Sequence, residues 1–119
     1  MNTKSIKLPL EDGEILIHPD EIIYLSSKNK TATVHLENSE KLHVVKSIGK
    51  LEELLDKTHF FRCHRKHIVN LQKIRKIKKG YTAVELNSGT AISVSRYRKK
   101  EFKEALNRFC KNNKDCKIE

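Results

Sequence analysis

Five polar or cationic side chains stand close together in the run FFRCHRKHIVNL, residues 60–71: Arg62, His64, Arg65, Lys66 and His67. Phe60 and Phe61 precede them, and Ile68, Val69 and Leu71 follow. A cationic loop braced at both ends by core residues is a preorganised anion reader. Arginine offers a planar fork that matches a phosphate or the O6/N7 edge of guanine. The alternative is an exposed connection whose cations merely stay hydrated. A second basic set lies in SVSRYRKKEF, residues 93–102. Ser95 looks like a helix N-cap, and behind it Phe102, Ala105, Leu106 and Phe109 recur on one helical face. The positive end of a helix favours Asp or Glu, yet this one carries Arg96, Arg98, Lys99 and Lys100. Each cation there costs about 0.3–1 kcal/mol when exposed, a cost that reverses in sign when a phosphate sits between them.

Catalysis and metal binding find less support. His64 and His67 are three apart, and no carboxylate or cysteine pattern completes a site; on one strand they would point to opposite faces. None of the 4 glycines forms a phosphate-binding loop. We therefore expect no catalytic residues, no metal and no cofactor. The 3 cysteines lack CxxC spacing: Cys63 reads as buried and inert, Cys110 and Cys116 as free thiols near a polar tail.

Positioning such loops requires strands. In TATVHLE, Ala32, Val34 and Leu36 alternate with Thr31, Thr33, His35 and Glu37. In YTAVEL, Thr82, Val84 and Leu86 alternate with Tyr81, Ala83 and Glu85, and in TAISVS Ile92 and Val94 alternate with Ala91, Ser93 and Ser95. Period two marks half-buried strands, and the turn residues between them predict hairpins over 31–45 and 74–94. Ile68, Leu71, Ile74 and Ile77 are spaced by three and could mark a helix, but two strands around a short turn fit better beside a downstream hairpin. SIGKLEELLDK predicts a helix behind Ser47, with Ile48, Leu51 and Leu55 on one face and Gly49 as its weak point. The terminal helix is expected from about Arg96 to Phe109. The fold is mainly β, with one internal and one terminal helix; it is not an alternating βαβ chain.

The 119 residues suit one domain, taken as 1–109, with 110–119 a polar, frayed tail. The net charge of +10 is uneven: residues 1–59 hold eight Lys and Arg against ten Asp and Glu, residues 60–119 seventeen against five. That asymmetry points to a polyanion partner, a solvated basic surface being the alternative. No apolar run approaches the ~20 residues of a membrane span, and the first residues lack a signal-peptide core, so a cytoplasmic protein without membrane insertion is expected.

FFRCHRKHIVNLQKIRKI followed by VELNSGTAISVSRYRKKEF resembles the LytTR family of bacterial DNA-binding domains. The family pattern reads F-x-R-x-H-R-x-x-I-V-N, then I-x-x-I, then a glycine-containing turn and Ser-Arg before a terminal helix. The chain matches at Phe60 or Phe61, Arg62, His64, Arg65, Ile68, Val69, Asn70, Ile74, Ile77, Gly89, Ser95 and Arg96. The upstream segment from His18 to Leu55 fits the family's first half, so the resemblance covers about residues 5–106.

It implies an elongated domain of several small antiparallel sheets, reading duplex DNA through loops in successive grooves, commonly as two copies on repeated sites. Carried over, the base-reading candidates are Arg65, Arg96 and, in the first loop, Lys28, Asn29 or Lys30. That loop is short here and lacks the His or Arg often found in the family. Arg62, His64, Lys66, Arg98, Lys99 and Lys100 are the phosphate candidates; Lys66 stands where the family often has Ser. The family implies transcription regulation in a two-component system, as a free-standing regulator or as the effector half of a response regulator, and the Met at position 1 favours the first. The expected partners are duplex DNA, a second copy of the chain on DNA, and RNA polymerase or a separate receiver or inhibitor protein. The runner-up is an RNA-binding or ribosome-associated basic β protein. Single-stranded RNA readers stack bases on exposed rings, whereas here only Tyr81 and Tyr97 are plausible platforms.

Overall fold

The computed structural model describes residues 5–112. In chain order the elements are β1 (Ile6–Leu10), β2 (Gly13–Ile17), β3 (Ile22–Lys28), β4 (Thr31–Leu36), β5 (Lys41–Val44), α1 (Ile48–Leu54), β6 (Phe60–His64), β7 (His67–Asn70), β8 (Ile74–Ile77), β9 (Ala83–Leu86), β10 (Ala91–Ser93) and α2 (Lys99–Asn112). The strands divide into a seven-stranded sheet ordered β2-β1-β5-β4-β3-β7-β6 and a three-stranded sheet ordered β10-β9-β8. Every pairing is antiparallel. The molecule is elongated, 46 × 31 × 24 Å. The mainly β architecture with an internal and a terminal helix is thus present, with most strands gathered into one large sheet.

The alternation in β4 buries Ala32, Val34 and Leu36 against α1, whose Ile48 and Leu51 complete that core with Leu25, Val44 and Ile68. Ser47 caps α1, its hydroxyl accepting from the Lys50 N–H at 3.4 Å. A second core lies between the small sheet and α2: Val84, Leu86, Ile92 and Val94 pack with Phe102, Ala105, Leu106, Val69 and Cys63. The opposite side of β4 is not fully solvated. Thr33 is buried, and the His35 ring stacks on Tyr24 with centroids 3.9 Å apart.

The segment 68–77 forms strands rather than a helix: β7, one 3-10 turn at Leu71–Lys73, then β8. Asn70 makes this junction. Its side chain is buried, donates to the Ile22 carbonyl at 2.9 Å and accepts from the Gln72 N–H at 3.0 Å. A buried amide satisfied at both ends fixes the turn and ties it to β3.

Three expectations are corrected. The terminal helix begins at Lys99, not Arg96, and continues past Phe109 to Asn112. Ser95 instead caps a preceding turn: its hydroxyl accepts from the Tyr97 N–H at 3.3 Å and its carbonyl from the Arg98 N–H at 2.8 Å. Cys110 is disulfide-bonded rather than a free thiol. His64 and His67 do not lie on one strand facing apart; they are cross-strand partners in the β6–β7 hairpin, with rings 5.7 Å apart. The rest of the expected tail, residues 113–119 including Cys116, lies outside the described residues.

Candidate nucleic-acid interface

The candidate readers are gathered by strand pairing. β3 and β4 are joined by the two-residue turn Asn29-Lys30, with Lys28 paired to Thr31. Asn29 has φ 57°, a left-handed conformation that Asn tolerates better than most residues. The Thr31 hydroxyl donates to the Lys28 carbonyl at 2.8 Å and stiffens the turn. β6 and β7 are joined by the second two-residue turn, Arg65-Lys66, with His64 opposite His67.

Because β3 runs antiparallel to β7, with Ser26 opposite His67, the two turns project from the same end of the large sheet. The Ser27 N–H donates to the Lys66 carbonyl at 2.9 Å and carries the register to the tip. The hairpins are adjacent, so their axes lie about 10 Å apart at the usual strand spacing. The third segment joins at the outer strand, where the Ser95 N–H donates to the Cys63 carbonyl at 2.8 Å. Lys28, Asn29, Lys30, Arg65, Lys66 and Arg96 are all exposed along this end.

The site residues differ in what holds them. No hydrogen bond or ion pair to the Arg65 guanidinium is found among the described residues. The Arg96 guanidinium lies 5.3 Å from the Tyr97 ring centroid, and Tyr97 is 81% exposed. Arg98 pairs with Glu101 at 3.4 Å, while Lys99 and Lys100 occupy the first turn of α2. The His64 Nδ1 accepts from the Lys66 N–H at 3.2 Å. Arg62 is the most constrained: Nη1 donates to Glu52 Oε1 at 3.1 Å and Nη2 to the Arg65 carbonyl at 2.7 Å.

Two nearby lysines escaped notice in the sequence. Lys46 and Lys50 share a surface concavity with Lys30, Ser47 and Glu53 beside the first turn. The signal was present: Lys46 and Lys50 flank the Ser47 cap, and α1 has no acid in its first turn. Burial and neighbouring cations lower the titration of His35 to about 4, desolvation being the main cause and Lys41 the next. Desolvation, with His64 and Lys66 beside it, also lowers that of His67. Both imidazoles are neutral at pH 7, so they add no charge to the end of the sheet. Burial pushes the Cys63 thiol up to about 12, which keeps it protonated and unreactive. Among the described residues, no group of three or more His, Cys, Asp or Glu is placed to hold a metal ion, and no helix is long and apolar enough to cross a membrane.

A family model described as the LytTr DNA-binding domain matches residues 12–107. The transcriptional regulatory protein LytR of Staphylococcus aureus strain N315 is 27% identical over 106 residues, covering 87% of this chain and 43% of that protein. The sensory transduction protein LytT of Enterococcus faecalis is 30% identical over 108 residues, covering 87% of this chain and 44% of its own. The chain thus spans less than half the length of these curated relatives. The solved LytTr DNA-binding domain of a putative methyl-accepting/DNA response regulator from Bacillus cereus superposes with a TM-score of 0.74 at 28% identity, covering 88% of this chain and 98% of that one.

Proposed function

The chain belongs to the LytTR family of DNA-binding domains, and from that membership we propose that it regulates transcription by reading duplex DNA sequence-specifically through three loops. The observation that carries this reading is the convergence of the Lys28–Lys30 turn, the Arg65–Lys66 turn and the Arg96 segment on one end of the large sheet. A row of exposed cations held by backbone hydrogen bonds combines rigidity with positive potential, the two requirements of base reading.

In this reading Arg65 and Arg96 address guanine edges, with Lys28, Asn29 or Lys30 contributing from the first turn. His64, Lys66, Arg98, Lys99 and Lys100 contact phosphates and fix the register. The N-terminus of α2 adds its own positive potential behind Lys99 and Lys100. Two copies occupy repeated sites on one face of the duplex. RNA polymerase and a receiver or inhibitor protein are the protein partner classes that the family reading implies.

Selection of bound duplexes from a random DNA pool tests the proposal. A defined motif, present twice at fixed spacing, is the expected result. A single motif would remove the two-copy element. Competition in which single-stranded RNA displaces every duplex would replace DNA by RNA as the ligand. Few ring platforms favour that alternative, since Phe60 and Phe102 are buried and Lys103 lies over the Tyr81 ring at 4.9 Å.

A further inference from the structure

We propose that Arg62 is a positioning residue, anchored on Glu52, that presets the Arg65–Lys66 tip for DNA instead of touching DNA itself. The inference rests on the DNA-reading function proposed above and concerns how one of its readers is held.

Arg62 looks like one more phosphate ligand in the basic run, but its guanidinium is already committed. Both terminal nitrogens donate within the protein, to Glu52 at 3.1 Å and to the Arg65 carbonyl at 2.7 Å. Its Nε is buried and without a partner. Two of the five N–H groups are taken and the Nε–H is buried, which leaves one N–H on each terminal nitrogen of a side chain only 21% exposed, and the Glu52 carboxylate offsets the charge at close range.

The far end of the brace is rigid. Glu52 follows the buried Leu51 on α1, which is fastened to the main core through Ile48 and Leu51. The near end is where support is needed, because the β6–β7 ladder shifts register between Phe61 and His64, just before the tip. At the tip itself three backbone groups are tied: the Arg65 carbonyl by Arg62, the Lys66 N–H by His64 and the Lys66 carbonyl by Ser27. The Arg65 side chain is left pointing from a fixed base. Holding a reader within a fraction of an ångström of its working geometry avoids an ordering cost on binding.

The test uses the full chain, its preferred duplex from the pool selection and a random duplex of equal length, each titrated over a salt series. Arg62→Gln is expected to weaken binding to the preferred duplex about tenfold, as loss of one charged hydrogen bond's worth of preorganisation would. Random-duplex binding and the salt slope should stay unchanged. Arg62→Lys should fail in the same way, because one ammonium cannot span both acceptors. Glu52→Ala separates the brace from plain electrostatics. Removing an acid should tighten binding to every duplex, whereas loss of the anchor weakens the preferred one. The double variant Arg62→Gln/Arg65→Ala should bind no worse than Arg65→Ala alone, since the brace acts through Arg65.

The proposal is overturned if Arg62→Gln lowers the salt slope by about one and weakens both duplexes alike, the mark of a phosphate contact. Recovery of binding by Arg62→Lys, or losses that add in the double variant, would overturn it equally. If the unmodified chain binds no duplex, the DNA reading itself has failed. The brace is then judged by hydrogen exchange alone, where Arg62→Gln and Glu52→Ala should each speed exchange at the Lys66 amide while the β3 and β4 amides keep their protection; an unchanged Lys66 rate refutes it.

Discussion

The N–H of Ser95 donates to the carbonyl of Cys63 at 2.8 Å, and the Cys63 thiol lies 3.6 Å from the Ser93 carbonyl it donates to. These contacts stitch the segment before α2 to the outer strand of the large sheet. They make Arg96 a neighbour of a hairpin whose tip, Arg65-Lys66, lies about thirty residues earlier in the chain, and they turn two basic stretches of sequence into one surface.

Arg65 and Arg96 share no hydrogen bond with each other, so each is expected to contribute separately. Arg65→Ala and Arg96→Ala should each cost about 1–3 kcal/mol on the preferred duplex and far less on random DNA. The double variant should lose close to the sum. Thermal melts should barely change, because both side chains are exposed. If Arg96→Ala lowers the melting temperature by several degrees and loses specific and random binding together, Arg96 is a strut and not a reader.

Binding should depend steeply on salt. With roughly six to ten phosphates contacted, affinity falls by about 10³–10⁵ between ~50 and ~200 mM salt. Lys99→Gln and Lys100→Gln should each lower the log–log slope by about one and weaken all sequences alike. Titrations at four or five salt concentrations give the slope directly, and a flat plot would contradict phosphate-dominated binding.

Asn29 has a conformational duty, given its φ of 57°, and it is one of the three first-loop candidates for a base contact. Asn29→Gly keeps the turn accessible and removes the side chain. A loss of sequence preference without loss of stability would assign Asn29 a base contact. Unchanged binding would leave the first-loop contact to Lys28 or Lys30. Asn29→Val should destabilise the hairpin whatever its part in binding, since β-branched residues avoid positive φ.

Asn70→Ala should destabilise the fold by about 1–3 kcal/mol, because the Ile22 carbonyl and the Gln72 N–H lose their buried partner. Urea unfolding measures this. DNA affinity of the folded fraction should be retained, since the side chain is 1% exposed and cannot reach a ligand.

Stability should fall as the solution is acidified from pH 7 towards 4. His35 titrates near 4 in the folded protein against 6.5 when free, and His67 is lowered too. Above the unfolded value neither state is protonated and nothing is lost. Below it the unfolded chain takes up protons that the folded one refuses, and the loss levels off once the folded value is passed. His35→Gln should flatten the dependence of the melting temperature on pH across this window; an unaltered curve would show that His35 is not its source.

Local pattern determined a good deal of this protein. Period two in TATVHLE marked Ala32, Val34 and Leu36, which are buried to within 4%, and the apolar spacing behind Ser47 and in residues 102–109 marked the faces of both helices. Side-chain periodicity follows from backbone geometry, so it can be read from the residues alone. The cationic runs and the family motif were legible too, because they are contiguous. The start of α2 was misjudged because a Ser-x-Tyr turn and a helix N-cap use the same hydroxyl in the same way over two residues. Period two also tells which face of a strand is buried but not which strand lies beside it. The pairing of β3 with β7 joins residues more than forty positions apart, and it alone brings Asn29 and Arg65 to one end of the sheet. The same limit hid the partners of Arg62. A sequence counts it as a free cation, and only the packing of α1 against the core sets Glu52 where that cation is already bound.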